Sequence, residues 1–388
     1  MRPTTSLSDA VEMPSVIRCD VVVLSWNQLE TTQRCLASLV RGTDVPVRLI
    51  IVDNGSEPKV RQALQQVRPR EAVREVVVIQ NDTNEGFARG MNRGLRASRA
   101  PYVALLNNDI LVTSGWLSRM LEVAEAHPEI GLLDPDSTFG QRPPPLEALE
   151  AHARGLESQR GLYVEAGMCV GFCTVIKRQV INRIGLLTED VDRAFFEDED
   201  YCMRAQQVGF QCVVVRSAYV YHLEHHTVRH LADRQRLFRK NQRWCEGRWG
   251  KRLRIGYPKF TPVIPGSQEL RVWLERLRAI ARQRAFVHVY CPTPIGMDRD
   301  ALFRSVGLVP HTDVRWQVIP RRLAPWAAAG AILKRQKKRF DAIVAPDVRW
   351  GSLMTGLRWV HRADVIPETH EEQLIALWKP KSRSPSSS

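Results

Sequence analysis

From Arg18 to about Leu133, short apolar runs alternate with stretches of helical spacing: CDVVVLSW then ETTQRCLASLV, VRLIIVD then PKVRQALQQV, REVVVIQ then GFARGMNRGLRAS, YVALLN then SGWLSRMLEVAEAH. Nearly continuous β-branched runs with amphipathic helices between them predict βαβ units around a buried parallel sheet. Each run ends in a polar, turn-prone piece: SWN, VDNGS, NDTNEG and NNDI. Ligands of open parallel sheets bind at the carboxyl ends of the strands, so these four loops are the expected site. The Pro-rich FGQRPPPLEA near residue 140 reads as an excursion; LYVEAGMCVGFCTVIKRQVINRIG then resumes the pattern and FFEDEDYCMRAQQVGF follows. From about Ala285 a second, smaller α/β series begins with AFVHVYC, DRDALFRSVG, VRWQVIP, a basic helix-like stretch and RFDAIVAPD. The organisation expected is a flexible N-terminus (1–17), a first domain (18–250), a basic linker or helical segment (251–284), a small α/β domain (285–375) and a disordered tail (376–388).

Composition narrows the class. With 388 residues, 44% hydrophobic and 25% charged, the chain is ordinary globular material. No uncharged apolar run approaches the roughly 18 residues of a spanning helix, and the N-terminus lacks the apolar segment of a signal peptide. A cytoplasmic protein is expected. Eight cysteines without a CxxC pair or zinc spacing read as reduced core thiols. The net charge of +14 is concentrated: Arg229 to Arg284 holds sixteen Lys/Arg against four Asp/Glu, a surplus of twelve, interleaved with Phe238, Trp244, Trp249 and Tyr257. Such a segment suits anionic lipid headgroups or nucleic acid, or is a solvated helix face with its aromatics turned inward.

The loops carry the candidate chemistry. Asp53 ends a buried run, where a carboxylate either accepts bonds from a base or ribose or caps the next helix. Asn84, Gly86, Gly90, Asn92 and Gly94 stand where backbone approaches a ligand at a helix start. Asn107, Asn108 and Asp109 close the fourth strand. A hard cation carried by a diphosphate needs only one or two protein carboxylates, a role open to Asp109; an Asx turn is the alternative. In the acidic run Glu197–Asp200, Phe195 and Phe196 are expected in the core, holding carboxylates at the rim, with the helix starting at about Asp200. Burial and like charge raise a carboxyl pKa into the range of a general base, so the run divides into one base, one or two caps and one exposed acid. His222, after a strand-like run, is a structural imidazole or a metal ligand.

The order VVVLSWN, VDNGS, NxxNxGFAxGxNxG, LLNND, GFCTVIKR, FFEDEDYCMRAQQVGF and VYHLEHHT resembles, over residues 18 to 250, the family-two glycosyltransferases of the GT-A fold, most closely their rhamnosyltransferase-like branch. The resemblance implies a nucleotide-sugar-binding, Rossmann-like domain with a mainly parallel mixed sheet. It implies that Asn27, Asp53, Asn54, Asn84, Gly86, Asn92, Asn107 and Asn108 hold the donor, with Asp53 on the nucleotide. By the same resemblance Asp109 and His222 serve a divalent metal, Mg or Mn, and Asp198, in its pair with Glu197, is the base. The implied reaction is inverting transfer from a nucleotide-diphosphate sugar to a hydroxyl of a glycan or polyprenyl-linked acceptor in cell-surface polysaccharide synthesis. The basic segment 229–284 is expected to hold the protein at the inner face of the cell membrane, by peripheral association with anionic lipid. Two departures stand out: Asn107-Asn108-Asp109 lacks the first carboxylate of a DxD, and GLLTED has Thr188 where an Asp is usual. The alternative reading, a nucleic-acid- or acidic-glycan-binding protein using residues 229–284, leaves the strand-mouth acids without a task, and no nucleic-acid partner is expected.

Overall fold

The first four apolar runs are strands β1 (Cys19–Ser25), β2 (Val47–Asp53), β3 (Val73–Gln80) and β4 (Tyr102–Asn107), parallel neighbours in the order β3-β2-β1-β4. The structure, a computed structural model, describes residues 16–137, 143–191, 193–223, 233–334 and 338–370; the expected tail 376–388 and all but the last residues of the expected N-terminal segment lie outside them. Every residue of β2 is buried, whereas β3, at the edge, is half-exposed. Further strands are β5 (Ile110–Val112), β6 (Ile130–Ser137), β7 (Tyr163–Ala166), β8 (Cys173–Lys177) and β9 (Gln211–His222). They extend the sheet along β4-β8-β6-β9-β5, with β7 on β9; β8 is antiparallel to β4 and β6, and β5 to β9. The mainly parallel mixed sheet is therefore present as expected.

One polar pair lies inside this sheet. Asp20 and Arg48 face each other across β1 and β2, and the Asp20 carboxylate accepts Arg48 Nε at 2.8 Å and Nη2 at 3.0 Å. It also takes the backbone N–H groups of Arg99 and Ala100. A charge with no exposure is tolerable only because all these donors meet it.

The glycines of helix Phe87–Ala97 correct one expectation. Gly90 and Gly94 do not open backbone to a ligand: a Cβ on Gly94 would stand 2.2 Å from the Val22 side chain, and one on Gly90 2.5 Å from Leu24. They let the helix lie flat on β1.

The second sheet comprises β10 (Leu253–Pro258), β11 (Ala285–Cys291), β12 (Val314–Val318), β13 (Ala342–Ala345) and β14 (Asp364–Pro367), all parallel in the order β12-β11-β10-β13-β14. Residues 251–284 are thus no linker: β10 is the central strand of this unit. Helix Gln268–Arg282, capped by Ser267, packs Leu270, Trp273, Leu274, Leu277 and Ile280 into the core. LRIGYP is short, holds Gly and Pro, and stands between cations, which conceals a strand. The boundary moves accordingly. One unit takes in residues up to Leu162, Val170–Phe210 and Val215–Arg234, and the other Tyr163–Cys169, Gln211–Val214 and residues from Gln235 onward.

Nor is the surplus of charge at 229–284 one continuous surface. Lys251, Arg252, Lys259, Arg271, Arg276, Arg278 and Arg282 are ion-paired with Asp341, Asp313, Glu269, Glu275, Glu368 and, for the last two, Glu165. All eight cysteines are buried and outside any disulfide, as core thiols should be. Among the described residues no helix is long and apolar enough to cross a membrane.

Candidate active site

The loops at the carboxyl ends of β1, β2 and β4 are cross-tied through polar side chains. Asp53 is fully buried; its Oδ1 accepts the Ser56 N–H at 3.0 Å, a local turn. Among the described residues its buried Oδ2 has no hydrogen-bond partner and faces Arg61 Nε at 3.4 Å. An unsatisfied buried acceptor at a strand mouth costs about 1–3 kcal/mol unless a ligand donor meets it. Asn27 Oδ1 accepts the Glu57 N–H, and its own N–H bonds Ser56 Oγ, so it joins the loops after β1 and β2.

Asn54 has a different task from the one expected. Its Nδ2 donates to Asn84 Oδ1 and to the Gly86 carbonyl, while its Oδ1 accepts Asn81 Nδ2 and the Glu85 N–H, all within 3.1 Å. Every bond the carboxamide can make is spent on shaping residues 81–86. Asn84 Oδ1 also takes the Gly86 N–H. Gly86 has φ +86°, and a Cβ there would meet the Arg193 backbone at 2.9 Å. Glycine is needed for the neighbouring chain, whose Arg193 carbonyl accepts the Phe87 N–H. Asn92 is likewise structural. It is buried and clamps Leu187 by both backbone groups, and donates to Glu189. Here Glu189, within GLLTED, makes an anchoring contact one residue beyond Thr188.

At the end of β4, Asn108 Nδ2 donates to Thr32 Oγ1, which also contacts Ser25 Oγ. Among the described residues no hydrogen bond holds the Asn107 carboxamide, whose backbone N–H binds the Phe172 carbonyl. Asp109 begins the turn into β5, and register pairs Ile110 with His222 of β9. Asp109 Oδ1 and His222 Nε2 therefore stand 3.2 Å apart, both largely buried, with the His222 ring stacked on Phe172 at 5.1 Å. A hard carboxylate oxygen beside an imidazole nitrogen is a donor set that suits a divalent cation delivered with a diphosphate.

The acidic run forms the first turn of helix Glu197–Gln207, three residues earlier than expected. Arg193, Phe195 and Phe196 before it all have φ between 53° and 77°, a conformation that costs bulky residues about 1–3 kcal/mol each. The phenylalanines are half-buried, not in the core, and none of the four acids is exposed. Asp200 is tied to Arg204 at 2.8 Å. Asp198 Oδ2 accepts the Gly171 N–H at 3.1 Å, and its Oδ1 the Glu199 N–H. Glu197 is buried with Oε2 unpartnered. Burial, then the adjacent Asp198, pushes the Glu197 carboxyl up to about 8, and burial lifts Asp198 to about 6 against the pull of the Gly171 N–H. Of the two, Asp198 gives up its proton first as pH rises, the order that a general base in this pair would need.

Sequence reasoning missed what organises this. Residues 170–172 touch three parts of the site: Gly171 holds Asp198, Phe172 stacks on His222, and the Phe172 carbonyl receives Asn107. Asp134 of β6 fixes that loop by accepting the Val170 N–H and the Thr174 hydroxyl. Nothing in the run DPDS marks Asp134 as buried; the antiparallel pairing of β6 with β8 brings it inside.

Glu197 also predicts a pH effect on stability. Its folded pKa lies above the ordinary 4.5, so the folded state binds this proton more tightly and stability falls as pH rises from about 4.5 to 8. Glu197→Gln cannot ionise. Between pH 5 and pH 8 the variant should gain more than about 1 kcal/mol relative to wild type in urea unfolding; parallel profiles would show that Glu197 ionises normally.

Residues 20–185 match the model of Glycosyl transferase family 2. An uncharacterized protein of Sinorhizobium fredii is 26% identical over 235 residues, covering 56% of this chain but only 25% of its own length. An N-acetylglucosaminyl-diphospho-decaprenol L-rhamnosyltransferase of Mycobacterium tuberculosis is 26% identical over 240 residues, covering 53% of this chain and 76% of its own. Similar solved structures include Staphylococcus aureus TarS 1–349 in complex with UDP-GlcNAc (TM-score 0.42, 16% identity, 57% of this chain and 64% of that one).

Proposed function

We propose, for a chain whose residues 20–185 match the model of Glycosyl transferase family 2, an inverting glycosyltransferase that moves a sugar from a nucleoside-diphosphate sugar to a hydroxyl of a glycan or polyprenyl-linked acceptor. It works at the inner face of the cell membrane, to which it binds peripherally. The observation that carries this reading is Asp198: a carboxylate in the first turn of helix Glu197–Gln207, held by the Gly171 N–H of the loop whose Phe172 stacks on His222, the neighbour of Asp109.

Asp198 takes the proton of the acceptor hydroxyl, and that oxygen attacks the anomeric carbon from the face opposite the diphosphate, inverting it. The nucleoside sits against the β1 and β2 loops, where Asp53 Oδ2 receives a donor hydrogen bond. Asp109 and His222 would hold a divalent cation, Mg or Mn, which supplies charge neutralisation on the departing diphosphate. Half-buried Asp198 keeps a path for its proton to leave.

Thermal unfolding against a panel of nucleotide sugars, with and without divalent cation, tests the reading. A ligand at a hundred times its Kd adds about 2.7 kcal/mol to the native state, so at least one donor should stabilise the protein, and more with cation. Asp109→Ala should lose the cation-dependent part, weakening donor binding about tenfold or more. Binding indifferent to both chelator and this substitution would remove the cation from Asp109. No stabilisation by any nucleotide sugar would remove the donor site.

A further inference from the structure

Helix Ala324–Leu333 belongs to the second unit and is apolar on every side. The run Leu323–Leu333, LAPWAAAGAIL, holds no charged residue. Ala324, Ala328, Ala329 and Ile332 face inward, in a core with Phe340, Ile343, Trp350 and Met354. The opposite side is left to solvent: Trp326 is 67% exposed and Leu323 58%, with Ala327, Gly330 and Ala331 only partly covered. A surface helix ordinarily turns polar residues outward. The short helix Arg358–His361 packs against it and adds Trp359, 77% exposed.

The charges that flank this helix along the chain are positive, while Arg358 beside Trp359 pairs with Asp364. Exposed Arg321 and Arg322 precede the helix and exposed Lys334 follows it. From Val314 to Phe340 the sequence contains eight Lys/Arg and no Asp or Glu. Ten residues are too few to span a bilayer, which needs about 20. Tryptophans over an apolar helix, rimmed by arginines, match the boundary between headgroups and acyl chains, with guanidiniums reaching lipid phosphates.

We propose that this face, Leu323, Trp326 and Trp359 with Arg321, Arg322 and Lys334, is the surface by which the protein lies on an anionic lipid bilayer. It gives the peripheral membrane association proposed above a location, and replaces the segment 229–284 that the sequence suggested. It rests on that association and not on the transferase chemistry, so the test reads binding alone.

The full chain is centrifuged with vesicles of phosphatidylcholine, or of phosphatidylcholine with phosphatidylglycerol. Wild type should pellet with the anionic vesicles, stay in solution with the neutral ones, and be released by salt near 1 M, where screening falls to about 3 Å. Trp326→Glu and the pair Arg321→Glu, Arg322→Glu should each weaken binding by roughly tenfold or more. The pair Arg239→Glu, Arg243→Glu in the segment 229–284 should bind like wild type. Circular dichroism checks folding, and Trp326→Ala, which should bind several-fold more weakly, serves if Trp326→Glu is unfolded. The proposal is overturned if wild type ignores anionic vesicles, or if only the Arg239, Arg243 variant loses binding. It is also overturned if light scattering shows a dimer that Trp326→Glu dissociates, which would assign the face to a second copy of the chain.

Discussion

Asp198→Asn should leave the fold and donor affinity as in wild type while sugar transfer falls at least about a hundredfold, the lower end of what a general base contributes. The amide oxygen can still accept the Gly171 N–H, while the NH2 that replaces the other oxygen gives up the Glu199 N–H bond, a local loss in an otherwise intact helix, and the amide cannot take a proton. The same assignment fixes the pH profile. With its carboxyl raised to about 6, wild-type kcat/KM should rise through about pH 6 as Asp198 ionises, and Asp198→Asn should lose that limb. Glu197→Gln should retain most activity at neutral pH, because Glu197, lifted to about 8, already holds its proton there. Single-turnover transfer measured across pH decides it. An active Asp198→Asn beside an inactive Glu197→Gln would move the base by one residue.

Asp20→Ala should be a strongly destabilising single change in the first sheet, by about 3–5 kcal/mol. It strands a buried guanidinium: the Arg48 side chain is only 5% exposed and loses its bidentate partner, while the Arg99 and Ala100 N–H groups lose their acceptor. Against a typical total of about 5–15 kcal/mol, that is a large share. Asp20→Leu combined with Arg48→Met should recover much of the loss, since a packed apolar pair needs no partner charge. Urea unfolding of the three variants measures both steps; a loss below about 1 kcal/mol in Asp20→Ala would mean that water reaches the pair.

Much of the first unit was legible. Runs such as RLIIVD and YVALLN can only be buried strands, and their alternation with helices dictates parallel neighbours, which put Asp53 and Asp109 at strand mouths. The second unit was half hidden because its central strand, LRIGYP, is as short and as interrupted as a loop. Asn54 and Asn92 read as ligand groups because a sequence shows which polar atoms exist, and only coordinates show which are already spent. The loop at Gly171 escaped for another reason. Its importance lies in a backbone N–H, which every residue but proline has, aimed at Asp198 through a strand pairing that hydrophobic spacing does not encode. The strand-mouth acids and His222 carry chemistry in their side chains, and those the sequence displayed.

The eight buried cysteines make the chain a reporter of its own opening. Burial raises the Cys19 and Cys173 thiols far out of the reactive range, and Cys35 and Cys291 to about 12, so thiolate is scarce in the native state and the sulfurs are out of reach of reagent. An aromatic disulfide reagent should therefore label almost nothing at first, and then label groups of sulfurs at the rates at which parts of the chain unfold. Cys245 and Cys291 report on the unit built around β10, and Cys19, Cys35 and Cys173 on the one built around β1, so a single labelling time course followed by peptide mass analysis would rank the kinetic stability of the two halves without any added probe.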